Sequence, residues 1–243
     1  MDNVVWMLCK DEEFYIDMAL DSVVRNVGGV YILDTGSTDA TITIVRTFQN
    51  MYPKKIVLEQ KDFGGDFRFG RPNADMQCVV RNYAMERAKG IFNPEGFLIC
   101  LDADEIFNDR FFELLDGLKG DCLVHATNLL ITPYTVSTHP LDVEERDGVK
   151  LFDPHNRAWR AQLPVQWINR EGMHMAPRVN GNPLPNRVVT KDHVHFHLRY
   201  SFGPKCKKPD YDDLLWCRSK RFEVSLSYPI PEYTVRRWKE GVR

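Results

Sequence analysis

The stretch Phe97-Leu98-Ile99-Cys100-Leu101-Asp102-Ala103-Asp104-Glu105 sets three carboxylates at the end of an apolar run. Such a run reads as a buried strand, so the acids emerge together at its carboxyl end. Close like charges are costly there unless a cation joins them. Hard oxygen ligands in this spacing suit Mg²⁺ or Mn²⁺, which keeps part of its water shell and shares phosphate oxygens with a substrate. Ala103 is small enough to let Asp102 and Asp104 reach one site. The plainer alternative is a solvated acidic turn that caps the next helix.

A second acidic turn, Asp34-Thr35-Gly36-Ser37-Thr38-Asp39, follows the apolar residues Val30–Leu33. It is equally a helix start by composition, because Ser, Thr and Asp are capping residues. His193-Val194-His195-Phe196-His197 alternates as a half-buried strand does, which turns all three imidazoles one way. They are candidate cation ligands or simply hydrogen-bonded strand histidines. A zinc site with Cys206 and Cys217 matches no standard zinc spacing. The loop Asp62–Gly70 mixes glycines with Phe63, Phe67, Arg68 and Phe69, and either closes over a ligand or packs its rings inward.

The elements that carry these residues alternate. Val4–Cys9 is an expected strand, and Ile16, Ala19, Leu20, Val23, Val24 and Val27 recur at helical spacing. Asp11 is the expected cap of that helix, with Glu12 and Glu13 at the positive end of its dipole. Gly28-Gly29 ends it before the strand Val30–Leu33. Ile42, Val45 and Phe48 line a second helix, Lys55–Glu59 a third strand, residues 75–89 a third helix, and Gly96–Leu101 a fourth strand. Strand and helix in alternation predict an α/β fold, a mostly parallel sheet with helices on both faces. Ligands bind outside the carboxyl ends of such strands, where Asp34 and Asp102 both stand.

Residues 111–243 are less regular than 1–110, and the two stretches read as halves of one continuous domain. Proline at 133, 140, 154, 164, 177, 183 and 185 predicts short strands and loops in a mixed lobe. Closing helices are expected over Asp210–Leu226 and Pro231–Lys239, the latter with Pro near its first turn.

At 243 residues with 43% hydrophobic content, the chain is long enough to bury a sizeable core. A net charge of −2 argues against a chain built mainly to coat nucleic acid or an anionic membrane. The charge is uneven: Arg199–Arg243 holds 11 Lys or Arg against 6 Asp or Glu. Six scattered cysteines, no readable signal peptide and no apolar run long enough for a bilayer predict a cytoplasmic protein without a transmembrane segment.

Taken in order, Val4–Glu13, Asp34–Thr41, Arg81-Asn82-Tyr83-Ala84 and Leu101–Glu105 resemble the family 2 glycosyltransferases of GT-A fold. The resemblance covers roughly the first 110 residues and implies a Rossmann-like central sheet with an acceptor-side lobe. It implies a nucleoside-diphosphate-sugar donor, a UDP-sugar first, with Mn²⁺ or Mg²⁺ and usually inversion at the anomeric carbon. By resemblance the donor contacts are Cys9, Asp11, Glu12, Asp34, Gly36, Ser37, Arg68, Arg81, Asp102 and Ala103. Asp34 would meet the base or ribose, Asp102 the ribose and cation, and Asp104 the cation, with His195 or His197 completing its shell.

A cation with Arg81 or Arg68 nearby would stabilise the charge on a leaving diphosphate. The acceptor hydroxyl then needs a base. Similar enzymes with an Asp-Ala-Asp-Glu signature often carry a His-Glu pair after a glycine. Here Gly172-Met173-His174-Met175 has methionine instead, so the base is sought among Glu171, Asp153 and Asp192.

Two other readings share features with this one. An aspartate-nucleophile phosphohydrolase also sets Asp-x-Asp after an apolar strand, although there the motif normally opens the domain. A non-catalytic module would use the basic tail on nucleic acid. The tail also makes a polyanionic acceptor, nucleic acid included, an expected partner.

Overall fold

The computed structural model describes residues 2–64, 74–125, 129–131, 136–138, 143–146, 149–152, 155–170, 173–190, 192, 194–198, 222–223 and 230–241. The first half alternates as expected: β1 (Val4–Cys9), α1 (Ile16–Val24), β2 (Gly29–Asp34), α2 (Thr41–Met51), β3 (Ile56–Gln60), α3 (Ala74–Phe92) and β4 (Phe97–Asp102). After the acidic turn come β5 (Glu105–Phe107), α4 (Asp109–Asp116), β6 (Cys122–His125), β7 (Leu129–Ile131) and β8 (Val136–Thr138). Then follow β9 (Val143–Arg146), β10 (Val149–Phe152), β11 (His155–Arg160), β12 (Val165–Arg170) and β13 (Met173–Val179). The last elements are β14 (Arg187–Thr190), β15 (His195–His197), β16 (Phe222–Glu223) and α5 (Glu232–Gly241).

The large sheet has the order β14-β6-β11-β4-β1-β2-β3. Strands β3, β2, β1 and β4 are parallel, β11 runs antiparallel to β4 and β6, and β14 is parallel to β6. A smaller sheet has the order β16-β8-β7-β15-β5, and β12 pairs with β13 in a hairpin.

The two-residue period of the strands divides the core into two layers. On β1, Val5, Met7 and Cys9 pack with Ile16, Leu20 and Val23 of α1, Val45 and Phe48 of α2, and Phe111 and Leu115 of α4. Val4, Trp6 and Leu8 point the other way, to Val80, Ala84 and Ala88 of α3 and to Trp159 and Trp167. Each such aliphatic or aromatic side chain contributes about 1.5–3 kcal/mol by leaving water. Gly29 lets β2 pass α3 closely, since a Cβ there would stand 2.4 Å from the Phe92 ring.

Three sequence expectations need correction. Helix α1 starts at Ile16 rather than beside Asp11. Its free first turn is served by the Glu12 carbonyl, which accepts from Tyr15 and Ile16 N–H, both at 3.0 Å. Asp11 adopts φ 54°, a left-handed value that Asp tolerates better than bulkier residues. Helix α3 runs on to Phe92, beyond the expected end at Lys89. Phe222 and Glu223 fall within the expected helix over 210–226 but pair as strand with Thr138 and Ser137; the rest of that segment lies outside the described residues. The expected helix after Pro231 is present as α5. Among the described residues, no helix is long and apolar enough to cross a membrane.

Candidate functional site

The loops after β1 and β2 are built on each other. Asp11 Oδ1 accepts from Thr38 N (2.7 Å) and Oγ1 (3.2 Å), and Asp11 N donates to Ser37 Oγ (2.9 Å). Glu12 N donates to Thr41 Oγ1 (2.7 Å), and Glu13 Oε2 accepts from Ala40 N (3.0 Å). Glu13 thus serves the N-terminus of α2 rather than that of α1, at an end where a negative charge is favoured.

Asp34, 1% exposed, accepts from Gly36 N (3.2 Å), Ser37 N (3.1 Å) and Ser37 Oγ (2.5 Å), while Gly36 takes φ 108° to complete the turn. Gln60 Nε2 approaches the same carboxylate at 3.5 Å. Cys9 Sγ donates to Asp34 Oδ1 at 3.8 Å; burial, then the nearby Asp34 charge, push that thiol well above its ordinary pKa. Cys9 is therefore a neutral donor beneath the turn.

The acidic turn links the two sheets, because β4 ends at Asp102 and β5 begins at Glu105. Antiparallel pairing of β5 with β15 brings His197 opposite Glu105 and His195 opposite Phe107. Asp102 is held on both sides: Arg81 Nη2 lies 3.0 Å from Oδ1 and Arg157 Nη1 3.2 Å from Oδ2. Arg157 Nη2 also pairs with Glu105 Oε1, and Glu105 Oε2 accepts from Asp102 N at 3.0 Å. Burial alone would raise the Asp102 carboxyl, but the Arg81 and Arg157 charges outweigh it and hold the group well below the usual carboxylate range.

Beneath this group, Cys100 Sγ accepts from Arg81 Nη1 (3.4 Å) and Arg157 Nη1 (3.7 Å). Its pKa is pushed up to about 12, burial outweighing the two cations. The Arg81 guanidinium also lies over the Trp167 ring, 4.7 Å from its centroid.

Asp104 stands differently. Its Oδ2 faces His197 Nε2 at 3.7 Å, with side chains 13% and 19% exposed, and its carbonyl accepts from Leu198 N at 2.7 Å. That separation exceeds a hydrogen bond and brings together an oxygen and an imidazole nitrogen, both ligand types for Mn²⁺. Among the described residues no group of three His, Cys, Asp or Glu side chains forms a ready cation cage. The donor set therefore fits Mn²⁺ or Mg²⁺ only as a partial site, with waters and substrate phosphate completing the shell, the usual habit of such ions.

The other expected residues are distributed as follows. Ala103, 3% exposed, packs in the core beneath the turn. His195 is fully buried, with Nε2 3.3 Å from Glu105 Oε2 and its ring 5.3 Å from that of Phe107, so the alternation that turns it the same way as His197 leads it to an interior carboxylate. Asp192 Oδ2 pairs with Arg110 Nε of α4 at 2.8 Å. Arg68, Asp153, Glu171 and His193 lie outside the described residues, as do Cys206 and Cys217.

Arg157 was not singled out from sequence, and Asn82 stood only within the stretch Arg81–Ala84, with no role of its own. Asn82 grips Trp167 of β12 from α3, donating to its carbonyl (3.0 Å) and accepting from its N–H (2.8 Å). The only local sign of Arg157 is a cation two residues before Trp159 in a strand whose alternate positions face the core.

No protein-family model and no curated protein matches the chain. Among solved structures, S. aureus TarS 1–349 aligns over 82% of this chain and 61% of its own, with 16% identity and a TM-score of 0.50. A longer S. aureus TarS aligns over 84% of this chain and 37% of its own, with 15% identity and a TM-score of 0.50. The chain thus spans less than two thirds of the length of either structure. The likeness is one of fold: the chain has the GT-A fold, a mixed α/β structure around a mostly parallel central sheet.

Proposed function

We propose that the chain is a divalent-cation-dependent glycosyltransferase that moves a sugar from a nucleoside-diphosphate donor, UDP-linked, to an acceptor hydroxyl with inversion. The observation that carries this reading is Asp104 Oδ2 facing His197 Nε2 at 3.7 Å, beyond the carboxyl end of the central strand β4. Open α/β sheets bind ligands at that edge. The GT-A fold supports the same chemistry by analogy.

Asp104 and His197 are the residues that would hold Mn²⁺ or Mg²⁺, which when bound supplies positive charge beside the leaving diphosphate. Asp102, kept ionised by its two arginines, accepts a ribose hydroxyl. The turn at Asp34, Gly36 and Ser37 receives the nucleoside, with Cys9 beneath it, Asp11 bonded to Ser37 and Thr38, Glu12 bonded to Thr41, and Ala103 between the two aspartates of the acidic turn. Arg81 acts through Asp102, and Arg68 would meet the diphosphate. Proton removal from the acceptor falls to Glu171 or Asp153 ahead of Asp192, whose carboxylate is already committed to Arg110. Residues 1–110 form the donor half and 111–243 the acceptor half. The buried free thiols Cys9, Cys78, Cys100 and Cys122 suit a reducing, cytoplasmic setting, and the basic stretch from Arg199 suits a polyanionic acceptor.

The test is a panel of nucleotide sugars with Mn²⁺ or Mg²⁺, read as nucleoside diphosphate release, with Asp104→Asn in parallel. One donor should give cation-dependent release, and the variant should lose at least ~100-fold, the scale of removing an electrostatic stabiliser. No release with any donor, and no melting shift with any nucleoside diphosphate, would favour the phosphohydrolase or the binding module.

A further inference from the structure

Strand β11 carries a register shift against β6: Asn156 pairs with Val124 and Ala158 with Leu123, which leaves Arg157 as the extra residue. Such a bulge bends a strand and re-aims a side chain, and bulges recur beside functional sites. On its other edge β11 is regular, with Ala158 opposite Ile99 and Trp159 opposite Leu98 of β4. Arg157 therefore lies beside Cys100 and diagonal to Asp102. Its side chain is 4% exposed, and its fork spans Asp102 Oδ2 and Glu105 Oε1. A lysine cannot reproduce that bridge, because one ammonium replaces a planar pair of donors.

The resulting charge pattern is uneven. Asp102, Asp104 and Glu105 bring three carboxylates, and Arg81 and Arg157 bring two guanidiniums. Both arginines are spent on Asp102 and Glu105, whereas Asp104 faces His197. Neither Asp102 oxygen is without a guanidinium donor, which makes Asp102 a poor cation ligand and a rigid acceptor.

We propose that Arg157 is a positioning residue: with Arg81 it clamps Asp102 as a fixed acceptor for the donor ribose and leaves Asp104 to hold the cation. This rests on the glycosyltransferase reading above. It divides two roles that the Asp102-Ala103-Asp104 spacing leaves merged.

The experiment compares wild type, Arg157→Met and Arg157→Lys by calorimetric titration with UDP in the presence of Mn²⁺, and by electron paramagnetic resonance titration with Mn²⁺ alone. Arg157→Met should weaken UDP binding at least tenfold while Mn²⁺ affinity holds or tightens, because a neighbouring positive charge has gone. Arg157→Lys should fall between. If Arg157→Met does not fold, Glu105→Gln/Arg157→Met removes the buried charge together with its partner and carries the same expectation. Wild-type UDP affinity in a folded Arg157 variant overturns the positioning role alone, as does an equal loss of UDP and Mn²⁺ affinity, the mark of a merely structural residue. No binding of UDP, or of any other nucleoside diphosphate put in its place, by the wild-type chain overturns the glycosyltransferase reading, and the role of Arg157 with it.

Discussion

Three carboxylates within four residues receive different tasks from their neighbours. Asp102 meets two arginines, Glu105 meets Arg157 and His195, and Asp104 meets His197. The two histidines, two residues apart on β15, separate in the same way. His197→Ala should weaken Mn²⁺ binding about 10–100-fold with little change in melting temperature, the usual scale for loss of a site-shaping group. His195→Ala should instead destabilise the fold by about 2–4 kcal/mol, since it empties a fully buried position beside a charged partner. Mn²⁺ titration and urea unfolding of both variants would check this. Equal effects on the cation would contradict the division. Alternation alone could not tell these imidazoles apart: it specifies the face of a strand, whereas the partner on that face depends on a register set by β5, nearly ninety residues earlier.

At the level of elements, α3 holds the site from behind. It presents Arg81 to Asp102 and, one residue later, Asn82 to the β12 backbone. Asn82→Ala should cost about 2–3 kcal/mol, because it leaves two backbone groups of Trp167 without their partner. Hydrogen exchange should accelerate in β12 before it does in β1. The same helix is fastened to the edge strand β3 by Glu59, which accepts from Tyr83 (2.5 Å), Tyr31 (2.9 Å) and Arg87 (2.9 Å). Burial alone would raise the Glu59 carboxyl, but these hydrogen bonds and the Arg87 charge outweigh it and lower its pKa. A depressed carboxylate contributes stability above its unfolded pKa, about 4.3 for Glu, and loses it as pH falls through the folded value. The melting gap between wild type and Glu59→Gln should therefore be constant at neutral pH and shrink under acid. A gap that widens on acidification would contradict the sign.

Strands β1, β2 and β4 of the parallel half were legible in the sequence because they are buried on both faces and appear as continuous apolar runs. The capping pattern misled at Asp11 and Glu13, whose bonds cross to the next loop instead of serving their own helix. Arg157 was hidden for a related reason: nothing local announces a bulge, which exists only relative to β6.

In the whole molecule the acidic turn is the passage from the large sheet to the small one, so both sheets set its position. The chain's last described helix returns to the first: Asp17 of α1 accepts from Tyr233 (3.0 Å) and Arg237 (2.7 Å) of α5. Asp17→Ala should cost about 2–3 kcal/mol by removing charge-assisted bonds, and limited proteolysis should then cut within α5 first. Unchanged resistance there would show that apolar packing holds α5 by itself. The measurement that most directly tests the central claim is Mn²⁺ binding in the presence of UDP, compared between wild type and Asp104→Asn. Cooperative binding of cation and nucleotide by the wild type, lost in a folded Asp104→Asn, is the predicted result. Binding that survives the substitution would contradict the assignment of the cation to Asp104 at the end of β4.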